Sequence, residues 1–307
     1  MKIEKIKSYG ENMTEVISST CFKQSDLGWK GSQMRCLLLT SMGKADLRDT
    51  LKHIIDQTKV YENIEIPKDF EYYPKGIVNS NEVELDKRLI PVNGSIEYCN
   101  VLKDWWLEHP KRARTPVWDM VVTAMIDDKP GFILVEAKAH EEELIKESKG
   151  KEMPGSNASR ESEGNHKRIK IAIEEARDGL NKASQIDRIR IDRDRCYQMS
   201  NRLAFAWKLA NLGIPVVLIY LGFQNTMEMR NGGKLRLIEN YEQWERIVRE
   251  HSELVGFDLW EIPITVRDEN EENVANIYPM IRSLDIQLHN GCLDGKFDIN
   301  FKHHADA

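Results

Sequence analysis

The chain has 307 residues, with 50 acidic and 44 basic side chains and a formal net charge of −6. Hydrophobic residues make up 41 % and charged residues 31 %, a balance that suits a globular core and excludes a disordered chain. The mild acidity excludes a histone-like protein held to nucleic acid by bulk charge, but it leaves room for a local basic surface.

The first residues lack the apolar core of a signal peptide, and the longest apolar segment, Ile214 to Phe223, is too short to cross a bilayer. Five scattered cysteines without paired spacing fit reduced thiols, so a cytoplasmic protein is expected. The first 50 residues offer little beyond an apolar patch at Cys36 to Leu39. Leu51, Ile54 and Ile55 give helical spacing over Leu47 to Lys59, and residues 60–92 read as irregular chain or short strands. Asn93-Gly94 marks a turn, with Ser95 as cap of a helix from Ile96 to Glu108 that Pro110 ends.

Next comes a hairpin: a strand over Val117 to Ile126, a turn over Asp127 to Gly131, and a strand over Phe132 to Lys138. Beyond it, Glu141 to Arg195 holds 13 acidic and 13 basic residues, with a mobile loop expected over Ser148 to Asn165 and a helix over His166 to Asp178. An amphipathic helix over Asp194 to Leu212 stops at Gly213, and Pro215 to Leu221 has the pattern of a strand buried on both faces. A helix over Tyr241 to Leu254 and a strand over Phe257 to Thr265 follow, and a short helical closure is expected for the last fifty residues.

Alternation puts Phe132, Leu134, Glu136 and Lys138 on one face of the second strand, and Val117, Asp119, Val121 and Thr123 on one face of the first. Folding about Asp128-Lys129 brings Asp119 opposite Lys138 and beside Glu136. Two carboxylates are hard ligands suited to Mg²⁺, which Mn²⁺ would replace, and the Ala137 carbonyl is a further candidate ligand. Lysine is placed to orient a water or to stabilise charge during phosphodiester hydrolysis.

Asp119 followed by Glu136-Ala137-Lys138 resembles the D…E-x-K signature of the PD-(D/E)XK, or restriction-endonuclease-like, nuclease superfamily. The likeness covers residues 96–223. It implies an α/β (α+β) fold, a mixed central sheet flanked by helices with N- and C-terminal elaborations. Asp119 and Glu136 would then be Mg²⁺ ligands, with Lys138 assisting the attacking water. It also implies a glutamate on the preceding helix, with Glu97 as candidate and Glu108 as rival, and a polar residue on the following helix, Tyr197-Gln198 with Gln198 preferred. The long insert at 139–165 and the helix after it depart from the common pattern.

The division expected is an extension at 1–95, a nuclease-like core at 96–265 and a closure at 266–307. Candidate contacts to nucleic acid are His140, Arg160, Lys167, Arg168, Arg202, Arg112 and Arg114, with Lys111 and Lys170 nearby. Each has a plainer role as solvated surface. Trp105 and Trp106 suit base stacking or the core, and Cys196 reads as structural. The expected activity is DNA cleavage, by a monomer or a homodimer, with no membrane association. Two alternatives are a catalytically inactive nucleic-acid-binding protein on the same fold and a metal-dependent phosphohydrolase of small substrates. No P-loop or dinucleotide fingerprint is present.

Overall fold

The computed structural model describes residues 2–7, 13–18, 22–23, 30–58, 61–86, 97–111, 113–230, 233–268, 270, 274–288, 292–293 and 296–300. The chain begins with β1 (Lys2–Lys7), β2 (Met13–Ser18) and β3 (Phe22–Lys23), then helices α1 (Gly31–Ser41) and α2 (Lys44–Ile55). Short strands β4 (Ile64–Glu65), β5 (Tyr72–Tyr73) and β6 (Val83–Glu84) lead to α3 (Glu97–Trp106). The hairpin comprises β7 (Val117–Trp118), β8 (Met120–Ile126) and β9 (Lys129–Lys138). Helices α4 (Glu141–Glu147), α5 (Arg160–Ser184) and α6 (Tyr197–Asn211) precede β10 (Val216–Gln224) and α7 (Tyr241–Glu253). The chain continues through β11 (Ile264–Arg267), β12 (Val274–Leu288), β13 (Cys292–Leu293) and β14 (Lys296–Asn300).

These elements form an α/β fold around a curled mixed sheet in the order β1-β2-β14-β12-β10-β9-β8-β4, with β11 on β12 and β5 on β8. Strand β10 runs parallel to both β9 and β12, and the other pairs are antiparallel. Every residue of β10 is buried, as its unbroken apolar run requires with helices on both faces.

Alternation along β9 sorts its side chains between the two cores. Ile133, Val135 and Ala137 join Leu38, Leu39, Leu51 and Ile54 of α1 and α2 on one face. Phe132 and Leu134 join Leu102, Trp106, Ile173, Leu203 and Phe205 of α3, α5 and α6 on the other. Trp105 and Trp106 are both buried there and pack edge-on against Phe205, so neither is free to stack on bases.

Several expectations change. The hairpin turn is two residues long. Asp127 and Asp128 both have positive φ (52° and 58°), the signature of a type I′ turn, and Ile126 pairs with Lys129. Pro130 and Gly131 therefore lie in β9, and the register brings Asp119 level with Glu136 rather than Lys138. Of the segment expected as a loop, 148–159 has no helix or extended strand, while its last six residues, 160–165, belong to α5, which starts at Arg160 under a Ser159 cap. The last fifty residues contain no helical closure among the described residues, but supply β12, a central strand of the sheet. Residues 93–95, with their expected turn and cap, lie outside the described residues.

Candidate active site

The first strand of the hairpin is interrupted at Asp119. Trp118 ends β7, which pairs with β6, and Met120 starts β8. The N–H of Ala137 is satisfied by the side chain at this break: it donates to Asp119 Oδ2 at 2.8 Å. A ladder position has become a carboxylate site, with Asp119 beside Glu136 at the carboxyl end of β9.

Glu136 is fully buried and holds three donors. Lys138 Nζ and Gln198 Nε2 both donate to Oε1, and Arg202 Nε donates to Oε2 at 2.6 Å. Arg202 is itself fixed, donating to Val117 O at 2.7 Å and Asn201 Oδ1 at 2.9 Å, with its guanidinium 4.4 Å from the centre of the Trp118 ring. Gln198 and Arg202 lie four residues apart on α6, hence on one helix face.

A third carboxylate completes the cluster. Glu147, at the end of α4, places Oε1 2.5 Å from Lys138 Nζ, while its Oε2 is buried without a hydrogen-bond partner among the described residues. Tyr220 of β10 is in register with Glu136, and its buried hydroxyl is also unpartnered among the described residues.

Three acids (Asp119, Glu136, Glu147) thus face two cations (Lys138, Arg202), and the surplus negative charge shows in the proton affinities. Burial, and then Glu136, push the Asp119 carboxyl up to about 7. Burial likewise takes Glu147 to about 7 against the opposing pull of Lys138. Burial also works against ionised Glu136, but Arg202 and then Lys138 outweigh it and hold that carboxyl below its ordinary value. For Lys138, burial is outweighed by Glu136 and then Glu147, so its ammonium is held well above the usual lysine range.

The structure thus brings together Asp119, Glu136, Lys138, Gln198 and Arg202. It corrects the role of Arg202, which is 4 % exposed and saturated by Glu136, Val117, Asn201 and Trp118, and is therefore an interior countercharge and not a surface contact for phosphate. His140 is buried between Glu142 and Glu143, at 3.3 and 3.2 Å, and is likewise no free surface donor. Arg160, Lys167 and Arg114 are exposed, and Arg168 donates to Asp104 O at 3.3 Å. Tyr197 points its ring under Lys151, 4.7 Å from Nζ. Glu97 opens α3, but its side chain and all of Arg112 lie outside the described residues. Glu108 is exposed beside His109.

Sequence reasoning missed Glu147 and Tyr220. Glu147 sits among other acids in a charged stretch and had no distinguishing signal. Tyr220 was the one polar group inside the apolar run of β10, which is signal enough in hindsight. Among the described residues, no group of three or more His, Cys, Asp and Glu is arranged to hold a metal ion. Comparison with family models, curated proteins and solved structures gives no match.

Proposed function

We propose that the chain is a metal-dependent nuclease of the restriction-endonuclease-like kind, hydrolysing phosphodiester bonds in DNA. The observation that carries this reading is the break in the hairpin, where Asp119 caps the Ala137 N–H beside Glu136 and Lys138.

The donor chemistry fits a hard divalent cation such as Mg²⁺ or Mn²⁺. No cation lies within ion-pair distance of Asp119 among the described residues, and burial and the neighbouring Glu136 push its carboxyl up to about 7 against the pull of Lys138 and Arg202, surroundings that a bound cation would relieve. Asp119, Glu136 and the Ala137 carbonyl would hold the cation once Glu136 Oε1 is freed of Lys138. The bound cation would supply Lewis-acid activation of a water and of the phosphoryl oxygen. Arg202 holds Glu136 Oε2 in place and offsets its charge, and Gln198 orients Oε1. Lys138, paired with both Glu136 and Glu147, is suited to orienting the attacking water and stabilising developing charge. Exposed Lys111, Arg114, Arg160 and Lys167 are candidate phosphate contacts.

The test is incubation of the purified protein with linear and closed-circular DNA in Mg²⁺ or Mn²⁺. Metal-dependent cleavage is expected, lost in Asp119→Asn, Glu136→Gln and Lys138→Met with circular dichroism unchanged. Cleavage that survives all three substitutions, or none by the wild type, overturns the reading. A second reading, a catalytically silent nucleic-acid binder on the same fold, is favoured by one observation: both oxygens of Glu136 already hold protein donors. Calorimetry with Mn²⁺ separates the two, since the silent binder needs no cation.

A further inference from the structure

Lys138 is 4 % exposed and lies between two carboxylates of unequal freedom. On Glu136, Oε2 is committed to Arg202, which is pinned by Val117, Asn201 and the Trp118 ring. Oε1 accepts from Lys138 and from the uncharged Gln198 amide, so it is the oxygen that can be exchanged without parting the Arg202 pair, and Lys138 is the cation on it. A divalent cation arriving there cannot share that oxygen with an ammonium, because like charges at contact distance repel strongly in a buried site. The ammonium cannot simply be left unpaired either, since a buried charge without a partner is strongly destabilising.

Glu147 answers this difficulty. Its Oε1 is already 2.5 Å from Lys138 Nζ, and its buried Oε2 has no donor among the described residues, so the carboxylate beside Lys138 has unfilled accepting capacity. Its position is also fixed independently of Lys138. Leu144 buries one side of α4, and the residues after Glu147 are tied to the start of α6: Cys196 N donates to Ser148 O and Tyr197 N to Lys149 O, both at 3.2 Å.

We propose that Glu147 is a positioning residue that takes over the Lys138 ammonium when Glu136 Oε1 turns to a divalent cation. The hand-over rests on the metal-dependent reading above and deepens it. It makes Lys138 a resident competitor for the cation's ligand, and Glu147 the group that draws the competitor aside while keeping it within the site.

The experiment is calorimetric titration of MnCl₂ into the wild type, Glu147→Gln, Lys138→Met and the double variant, with thermal unfolding of each as a check of folding. Glu147→Gln is expected to weaken Mn²⁺ binding about tenfold, the usual scale for loss of an outer partner at a metal site. Lys138→Met is expected to bind Mn²⁺ at least as tightly as the wild type. Once Lys138 is gone Glu147 has nothing to draw aside, so in that background Glu147→Gln should change affinity by no more than about twofold. Wild-type affinity in Glu147→Gln, or an undiminished loss in the Lys138→Met background, overturns the hand-over alone. Weaker binding by Lys138→Met also overturns it, even if Glu147→Gln fails to fold. Absence of any Mn²⁺ binding by the wild type overturns the metal-dependent reading and the hand-over with it.

Discussion

Arg202 and Glu136 meet at 2.6 Å in the interior, through Nε on one side and Oε2 on the other. The guanidinium spends its other nitrogens on Val117 O and Asn201 Oδ1, so the pair ties α6 to two strands of the hairpin at once. Breaking such a pair is far more damaging than its net worth suggests, because one charge stays buried without its partner. Arg202→Met is therefore expected to lower unfolding free energy by about 3–5 kcal/mol. Adding Glu136→Gln to the same chain should restore part of the loss. Urea denaturation of the two variants checks both, and a second substitution that worsens the first would contradict the account.

His251 gives a pH dependence of definite sign. Burial, and then Lys138, lower its imidazole to about 4, and its Nε2 is buried without a partner among the described residues. The unfolded chain therefore binds more protons between about 6.5 and 4. Stability from this group is complete above pH 6.5 and is lost as pH falls through the window, by on the order of 3 kcal/mol across it. Asp119, with its raised value, acts in the opposite sense over much of the same range, so the comparison must be made against the wild type. Urea midpoints at pH 6.5 and 4.5 should fall less in His251→Gln than in the wild type.

The turn offers a gain. Asp128 is exposed and held at a φ of 58°, where a side chain is strained and glycine is not. Asp127 cannot be changed so freely, since Tyr278 and Asn276 donate to its carboxylate at 2.8 and 2.9 Å. Asp128→Gly is expected to raise stability by about 0.5 kcal/mol, the strain relieved less the added freedom of the unfolded chain. A thermal melt reads the shift, and a lower midpoint would count against the turn assignment.

Gly131 carries the register of β9. A Cβ there would sit 2.3 Å from Pro215 O, a backbone atom fixed by the N–H of Phe132 at 3.1 Å. This close approach starts the β9–β10 ladder, which seats Glu136 beside Tyr220. Gly131→Ala is expected to cost about 1–3 kcal/mol through overpacking. The denaturation midpoint should drop while the m-value is preserved.

The E-A-K end of β9 was legible because strict alternation leaves few places for a buried acid and amine two residues apart. The register was not. A type I′ turn built from two aspartates lacks the usual glycine, and the Pro130-Gly131 pair that looks like a turn lies in the strand instead. Glu147 was unreadable for another reason. Its burial arises only when α4 folds back over Lys138, and nothing local separates it from its solvated neighbours. The central strand β12 was hidden by Pro279, Arg282 and Asp285, residues that argue against a buried strand. The structure accommodates them. The pairing of β11 along β12 reaches only as far as Ile277, short of the proline, and Arg282 is satisfied by Ile55 O and Glu261. Local pattern thus revealed the carboxylates, while the partners that tune them come from elements distant in sequence.

The bond from Ala137 N to Asp119 Oδ2 makes one amide proton an indicator of the whole site. A proton held by a carboxylate instead of a carbonyl responds to whatever that carboxylate does. Its nuclear magnetic resonance frequency should shift when Asp119 is protonated or engaged elsewhere, and its exchange with solvent deuterium should quicken if the side chain swings away. The neighbouring amides of β9, bonded within the sheet, would stay constant as an internal standard. Uniform ¹⁵N labelling would therefore let the state of Asp119 be followed in solution without substrate, turnover or any substitution.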